Sequence, residues 1–204
     1  MNIKLIISFF LCLTFLPSCK KSTEQLFDEA YSFTKEGKYD KAIELYSELI
    51  ERNDKLQSVY YNRGYCYYSK REYSKALLDF DRLISSQTLG GGKIIFTLNS
   101  DSPFASEEAK YQVPYYDAVY QRAQFYFFLE RNQESFQDFK LLADNNYEEK
   151  GSCFLWLGSL VLSKGDTTKA CEYFAKSKES ANSKNVHEAA EKMINECCSK
   201  CNNR

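Results

Sequence analysis

The sequence predicts an all-α protein, an α-solenoid of about four helical hairpins with a C-terminal capping helix and one inserted loop. Three columns of residues carry that expectation. Small residues recur at Ala30, Gly64, Ala123 and Gly158, at intervals of 34, 59 and 35. A second small column, Ala42, Ala76, Ser135 and Ala170, keeps those intervals, and so does an aromatic column of Tyr46, Phe80, Phe139 and Phe174. A period near 34 residues is one helical hairpin of a stacked array, and 59 is that period plus an insertion of 25. The columns place the hairpins near 23–56, 57–88, 116–147 and 151–182, with the insertion at 89–113 and the cap at 183–204.

The N-terminus reads as a processing signal. Lys4 precedes an apolar run from Leu5 to Leu16, which ends at Pro17. A membrane-spanning helix needs about 20 apolar residues, so this run suits the core of a secretory signal. The alternatives are a signal peptide with a chance cysteine, or a buried N-terminal helix. Leu16, Pro17, Ser18 and Cys19 resemble the bacterial lipobox. That resemblance implies a lipoprotein signal peptide at 1–18 and a diacylglyceryl group on Cys19. Residues 19–22 would then be the lipidated cysteine and a short tether. Two or three acyl chains of the palmitate kind would hold the domain stably on the bilayer. No acidic residue follows Cys19 directly, which leans the expectation toward the outer membrane.

Within each hairpin, Gly37 and Gly165 mark the turns of the first and fourth units, and Tyr39 and Tyr73 follow the turns of the first and second. Together with Gly-Lys-Tyr-Asp-Lys-Ala at 37–42 and Phe154 with Leu157-Gly158, the columns resemble the tetratricopeptide repeat over most of 23–182. The chain departs from that family at the fourth position, where Leu26, Tyr60, Val119 and Phe154 stand in place of Trp. Arg71 and Glu130 replace the turn glycine, and the third unit is the least regular. Ser22 with Gln25 suits a capping box, Ser74 and Thr168 are candidate caps, and Asn185 with Glu188 opens a last helix toward Cys201. Val186, Ala189, Ala190, Met193, Ile194 and Cys197 give that helix its apolar stripe.

Chemistry is sparse. With 27 basic and 28 acidic residues there is no electrostatic excess for a nucleic acid, and His187 is the only histidine. Gly-Gly-Gly-Lys at 90–93 lacks the rest of a phosphate loop. Cys197, Cys198 and Cys201 with His187 make a poor zinc set, and a disulfide within the cluster, or from it to Cys171 or Cys153, fits an exported chain better. Cys66 reads as core, and Asp79, Asp81, Glu107 and Glu108 as solvated charges. Neither catalytic residues nor a metal or cofactor is expected. The resemblance instead implies a concave face built from helix A positions: Phe27, Tyr31, Tyr61, Tyr65, Tyr68, Tyr120, Gln124 and Phe127, continued by Leu155, Ser159 and Leu162. This face is aromatic, unlike the basic clamp that grips chaperone C-termini. The expected function is a membrane-anchored scaffold or adaptor for envelope proteins or peptides. The alternative is a nutrient-binding lipoprotein whose rings stack on a glycan or peptide.

Overall fold

The computed structural model describes residues 20–88, 112–145 and 147–198. The signal and Cys19, nearly all of the insertion with its Gly-Gly-Gly-Lys and Glu107-Glu108, and Cys201 lie outside the described residues. Among the described residues nine α-helices follow one another: α1 (Thr23–Lys35), α2 (Tyr39–Arg52), α3 (Gln57–Ser69), α4 (Tyr73–Thr88), α5 (Tyr115–Phe128), α6 (Asn132–Asp144), α7 (Lys150–Ser163), α8 (Thr167–Ser180) and α9 (Lys184–Met193), the last running into a π-helical turn over Ile194–Cys198. They pair as α1/α2, α3/α4, α5/α6 and α7/α8, each hairpin stacks on the next, and α9 closes the end against α8 and α7.

The repeat columns are the packing seams. All four residues of the aromatic column are buried, and the small residues of both other columns are buried with them. The reason is proximity. A Cβ on Gly64 would stand 2.7 Å from Phe80 Cε2, and one on Gly158 would stand 2.6 Å from Phe174 Cδ1. Real Cβ atoms do not approach that closely, so the ring of helix B dictates the small residue of helix A. Ser135 belongs to the small column because its hydroxyl donates to the Ala123 carbonyl at 2.8 Å, satisfying itself inside the seam. Cys66 is buried between the first two hairpins, with its Sγ 3.4 Å from Thr34 Oγ1.

Tight turns join the helices of each hairpin. Gly37 and Gly165 adopt φ of 72° and 85°, and Arg71 and Glu130 take the same left-handed conformation at 62° and 58°. The turn geometry is kept without its glycine, at a steric cost of about 1 kcal/mol per residue.

Caps differ from expectation in part. Ser22 Oγ accepts from the Gln25 amide at 3.2 Å and Gln25 Oε1 accepts from the Ser22 amide at 3.0 Å, a complete capping box. Asp166, not Thr168, caps α8, accepting from the Lys169 amide at 3.0 Å. Ser183, not Asn185, caps α9, accepting from the Val186 amide at 3.4 Å. Ser74, Thr168 and Asn185 all lie inside the first helical turn, where backbone geometry is already helical.

Asp79, read as a solvated charge, is instead buried and structural, whereas the Asp81 side chain stays 45% exposed. Arg63 on α3 donates to both oxygens of Asp79 on α4, at 2.9 and 2.6 Å, and to Ser47 of the preceding hairpin at 3.0 Å. Arg122 on α5 repeats this with Asp138 on α6, at 2.8 Å to each oxygen, and reaches back to Asp81 at 3.2 Å. Asp79 and Asp138 are buried. Their burial raises each carboxyl above the ordinary carboxylate range, opposed by the paired arginine. Their partners sit 16 residues earlier on the facing helix, beyond what a helical-face argument within one helix detects.

The apolar core runs through the interruption between α4 and α5. Phe80, Leu83 and Ile84 of α4 share one cluster with Ala118, Val119 and Phe125 of α5 and continue to Leu157 and Leu160 of α7. No described helix is long and apolar enough to cross a membrane.

Candidate functional site

Helix A of each hairpin (α1, α3, α5, α7) contributes the face that the sequence marks as aromatic. The structure divides its residues into two kinds. Some are wedges between helices. Tyr61 is half-buried with its ring 5.4 Å edge-on to Phe80, and Tyr120 meets Phe139 and Tyr147 at 5.7 Å each. Phe127 sits edge-on to Trp156 at 4.9 Å, and Trp156 stacks on Phe139 at 5.5 Å. Tyr68 touches Phe125 at 5.2 Å, Phe128 at 5.7 Å and Tyr73 at 5.8 Å, which joins the second hairpin to the third. Phe27 lies edge-on to the buried Tyr46 at 5.9 Å. Gln124 is half-buried.

The others face solvent. Tyr31 is 42% exposed, stacked on Phe27 at 6.4 Å with the Lys35 ammonium 4.5 Å from its ring centre. Tyr65 is 45% exposed and leans on Tyr68 at 6.5 Å. Tyr31 and Tyr65 occupy the same repeat column, 34 residues apart, on α1 and α3.

Two rings of this surface escaped the sequence reading. Phe128, at the thirteenth position of its unit, is 41% exposed and stacks on Tyr73 at 5.6 Å. With Tyr65 and Tyr68 they make an aromatic cluster beside the turns of the second and third hairpins. A recess of about 270 Å³ lined by Arg71, Glu72, Tyr73, Ser74, Lys75 and Leu129 adjoins it. The available signal for Phe128 is its place directly after Phe127 at the end of the same helix A. Tyr73 carries no such signal, because it opens helix B.

Burial raises Tyr61, Tyr68 and Tyr120 above the ordinary tyrosine range, so all keep their protons near neutral pH. The Tyr147 hydroxyl donates to Asp117 at 2.8 Å beside this face, and burial with that carboxylate pushes the phenol up further. Such a surface offers flat apolar contact and hydroxyl hydrogen bonds. Among the described residues no group of three or more His, Cys, Asp or Glu lies together as a metal site.

A family model described as tetratricopeptide repeat matches residues 27–89. No curated protein matches the chain. Among solved structures, MamA (41-end) from Desulfovibrio magneticus RS-1 superposes with a TM-score of 0.61 at 18% identity, covering 80% of this chain and 80% of that one. YrrB, titled a TPR protein with an unusual peptide-binding site, gives 0.59 at 16% identity over 91% and 81%. PilF of Pseudomonas aeruginosa gives 0.59 at 15% identity over 84% and 67%. At these identities the likeness is one of fold, and with the four stacked hairpins and the match over residues 27–89 it establishes an all-α chain of tetratricopeptide-repeat fold.

Proposed function

We propose that the protein is a non-catalytic scaffold that captures a protein or peptide partner on its helix A face, tethered to a bacterial envelope membrane, the outer membrane for preference, through acylated Cys19. The observation that carries the binding half is the pair of exposed tyrosines in one repeat column, Tyr31 and Tyr65, continued by the exposed Phe128. Exposed rings of this kind offer contact area and a hydroxyl at low conformational entropy cost. The peptide-binding site named for YrrB supports the same use of the fold. The tether rests on the lipobox resemblance alone.

Crosslinking and co-purification from the native membrane, wild type against Tyr31→Ala with Tyr65→Ala, test the binding half. These rings are exposed, so the melting temperature should hold while capture weakens by about 2 kcal/mol per hot-spot ring. Capture unaffected by both substitutions refutes the assignment. Tyr68 is unsuited to this test because four rings lean on it. For the tether, Cys19→Ala should move the protein out of the detergent-phase membrane fraction and remove the lipid mass from the mature N-terminus. Unchanged fractionation refutes the anchor.

A further inference from the structure

The C-terminal cap is built unlike the rest of the array. Each of the eight helices before it buries several side chains, whereas α9 fully buries only Ala190, and the π-helical turn after it buries none. At 10 residues α9 is shorter than an isolated helix needs to hold itself in water. Its attachments include the half-buried Met193 and Ile194 against the Val161, Ala170 and Phe174 cluster, and the partly exposed ion pair of Lys178 with Glu191 at 2.8 Å. A disulfide from Cys171 on α8 to Cys198 in the turn then spans the whole cap, closing a loop across 27 positions with a Cα–Cα distance of 5.8 Å.

The cysteines are also sorted by access. Cys66 and Cys153 are fully buried thiols, and burial pushes Cys153 up to about 12. Cys171, Cys197 and Cys198 are all partly accessible and lie together at the cap. Among the described residues, thiol–disulfide chemistry from solvent therefore has one address.

We infer that Cys171–Cys198 is a redox latch: oxidised, it holds α9 over the apolar end of the fourth hairpin, and reduced, it releases α9 and uncovers Val161 and Phe174. The reductant is a dithiol. One of its thiolates attacks Cys198 Sγ, the Cys171–Cys198 bond breaks, and Cys171 leaves as a thiolate that takes a proton. The second thiol of the reductant then displaces Cys198 from the mixed disulfide, so the dithiol ends oxidised and both cysteines end as thiols. Release is local because loop closure, which the disulfide supplies, is most of what a cap with one buried side chain has to hold it.

Hydrogen exchange read by mass spectrometry on the full chain, with and without dithiothreitol, tests this. Exchange over 184–198 should rise at least roughly a hundredfold on reduction, the size of the lost loop constraint. Exchange over 39–52 in α2 should not change. Cys171→Ser should show the open pattern without reductant, and Cys197→Ser should keep the closed one. No change in 184–198 on reduction overturns the latch. So does a rise shared by α2, which would make the disulfide a staple of the whole fold, and so does opening by Cys197→Ser, which would assign the bond to the neighbouring cysteine.

Discussion

Replacing Arg122 by methionine tests the electrostatic framing of the stack. The substitution keeps most of the apolar stem but deletes a guanidinium that bonds both oxygens of Asp138 and one of Asp81. Asp138 is 7% exposed, so water cannot replace the lost donors. Removing one partner of such a buried pair costs about 3–5 kcal/mol, against about 0.5 kcal/mol for an exposed pair. Lys140 with Asp144, at side-chain exposures of 53% and 60%, is the exposed control in the same hairpin. For a domain of this size, 3–5 kcal/mol lowers the melting temperature by roughly 6–20 °C. Urea unfolding followed by circular dichroism measures it. Arg122→Met with Asp138→Leu should recover most of the loss, because no unpaired buried charge remains and the Asp81 side chain, 45% exposed, keeps its water. The pH dependence has a definite sign. Burial raises the Asp138 carboxyl in the folded chain and Arg122 lowers it. Without Arg122 the folded carboxyl lies further above its unfolded value, so the folded state takes up the proton first. The Arg122→Met deficit should therefore shrink as pH falls from 7 toward the unfolded carboxylate value and return as pH rises. A single-variant cost under about 1 kcal/mol, or a double variant as weak as the summed singles, refutes the reasoning.

Other expectations follow from the same geometry. Gly158→Ala should destabilise by about 1–3 kcal/mol in urea unfolding, because its Cβ would overlap the Phe174 ring. Arg71→Gly or Glu130→Gly should stabilise by about 1 kcal/mol by relieving the left-handed turn, seen as a higher urea midpoint at unchanged slope. Iodoacetamide at pH 8 should label Cys197 in the folded chain and leave Cys153 unmodified until denaturant is added, since a thiol held near 12 is only about one part in ten thousand thiolate at that pH. Replacing residues 89–111 by a short Gly/Ser linker should preserve helical dichroism and most of the stability, and a cooperative loss of helix would place the segment in the core.

The hairpins were readable because a 34-residue period repeats the same steric problem. Wherever a ring such as Phe80 or Phe174 fills the seam, a small residue must face it, so the pairing is written at fixed spacing. The caps were readable only approximately, because Asp166, Thr167 and Thr168 all have capping side chains and the choice among them depends on where the backbone turns helical. The arginine braces were not readable. Arg63 and Asp79 look like two surface charges until the hairpin folds them together, and only a comparison of the second and third units column by column pairs them. The aromatic face of the A helices is half legible for a related reason. Repeat position names the helix A face, but whether a ring there wedges like Tyr120 or protrudes like Tyr65 depends on which side chains the next hairpin supplies.

The uninterrupted stacking of α4 on α5 has a consequence for connectivity. Leu83 and Ile84 on one side and Val119 and Phe125 on the other share a core, and Arg122 reaches across to Asp81, although residues 89–111 separate the two helices in sequence. Severing the chain at that junction and expressing 1–88 and 112–204 as two polypeptides should therefore let their complementary faces reassemble the array. Such a split would make reconstitution bimolecular, with stability that rises with fragment concentration. It would also turn this junction into a site where foreign sequence can be carried without moving either half.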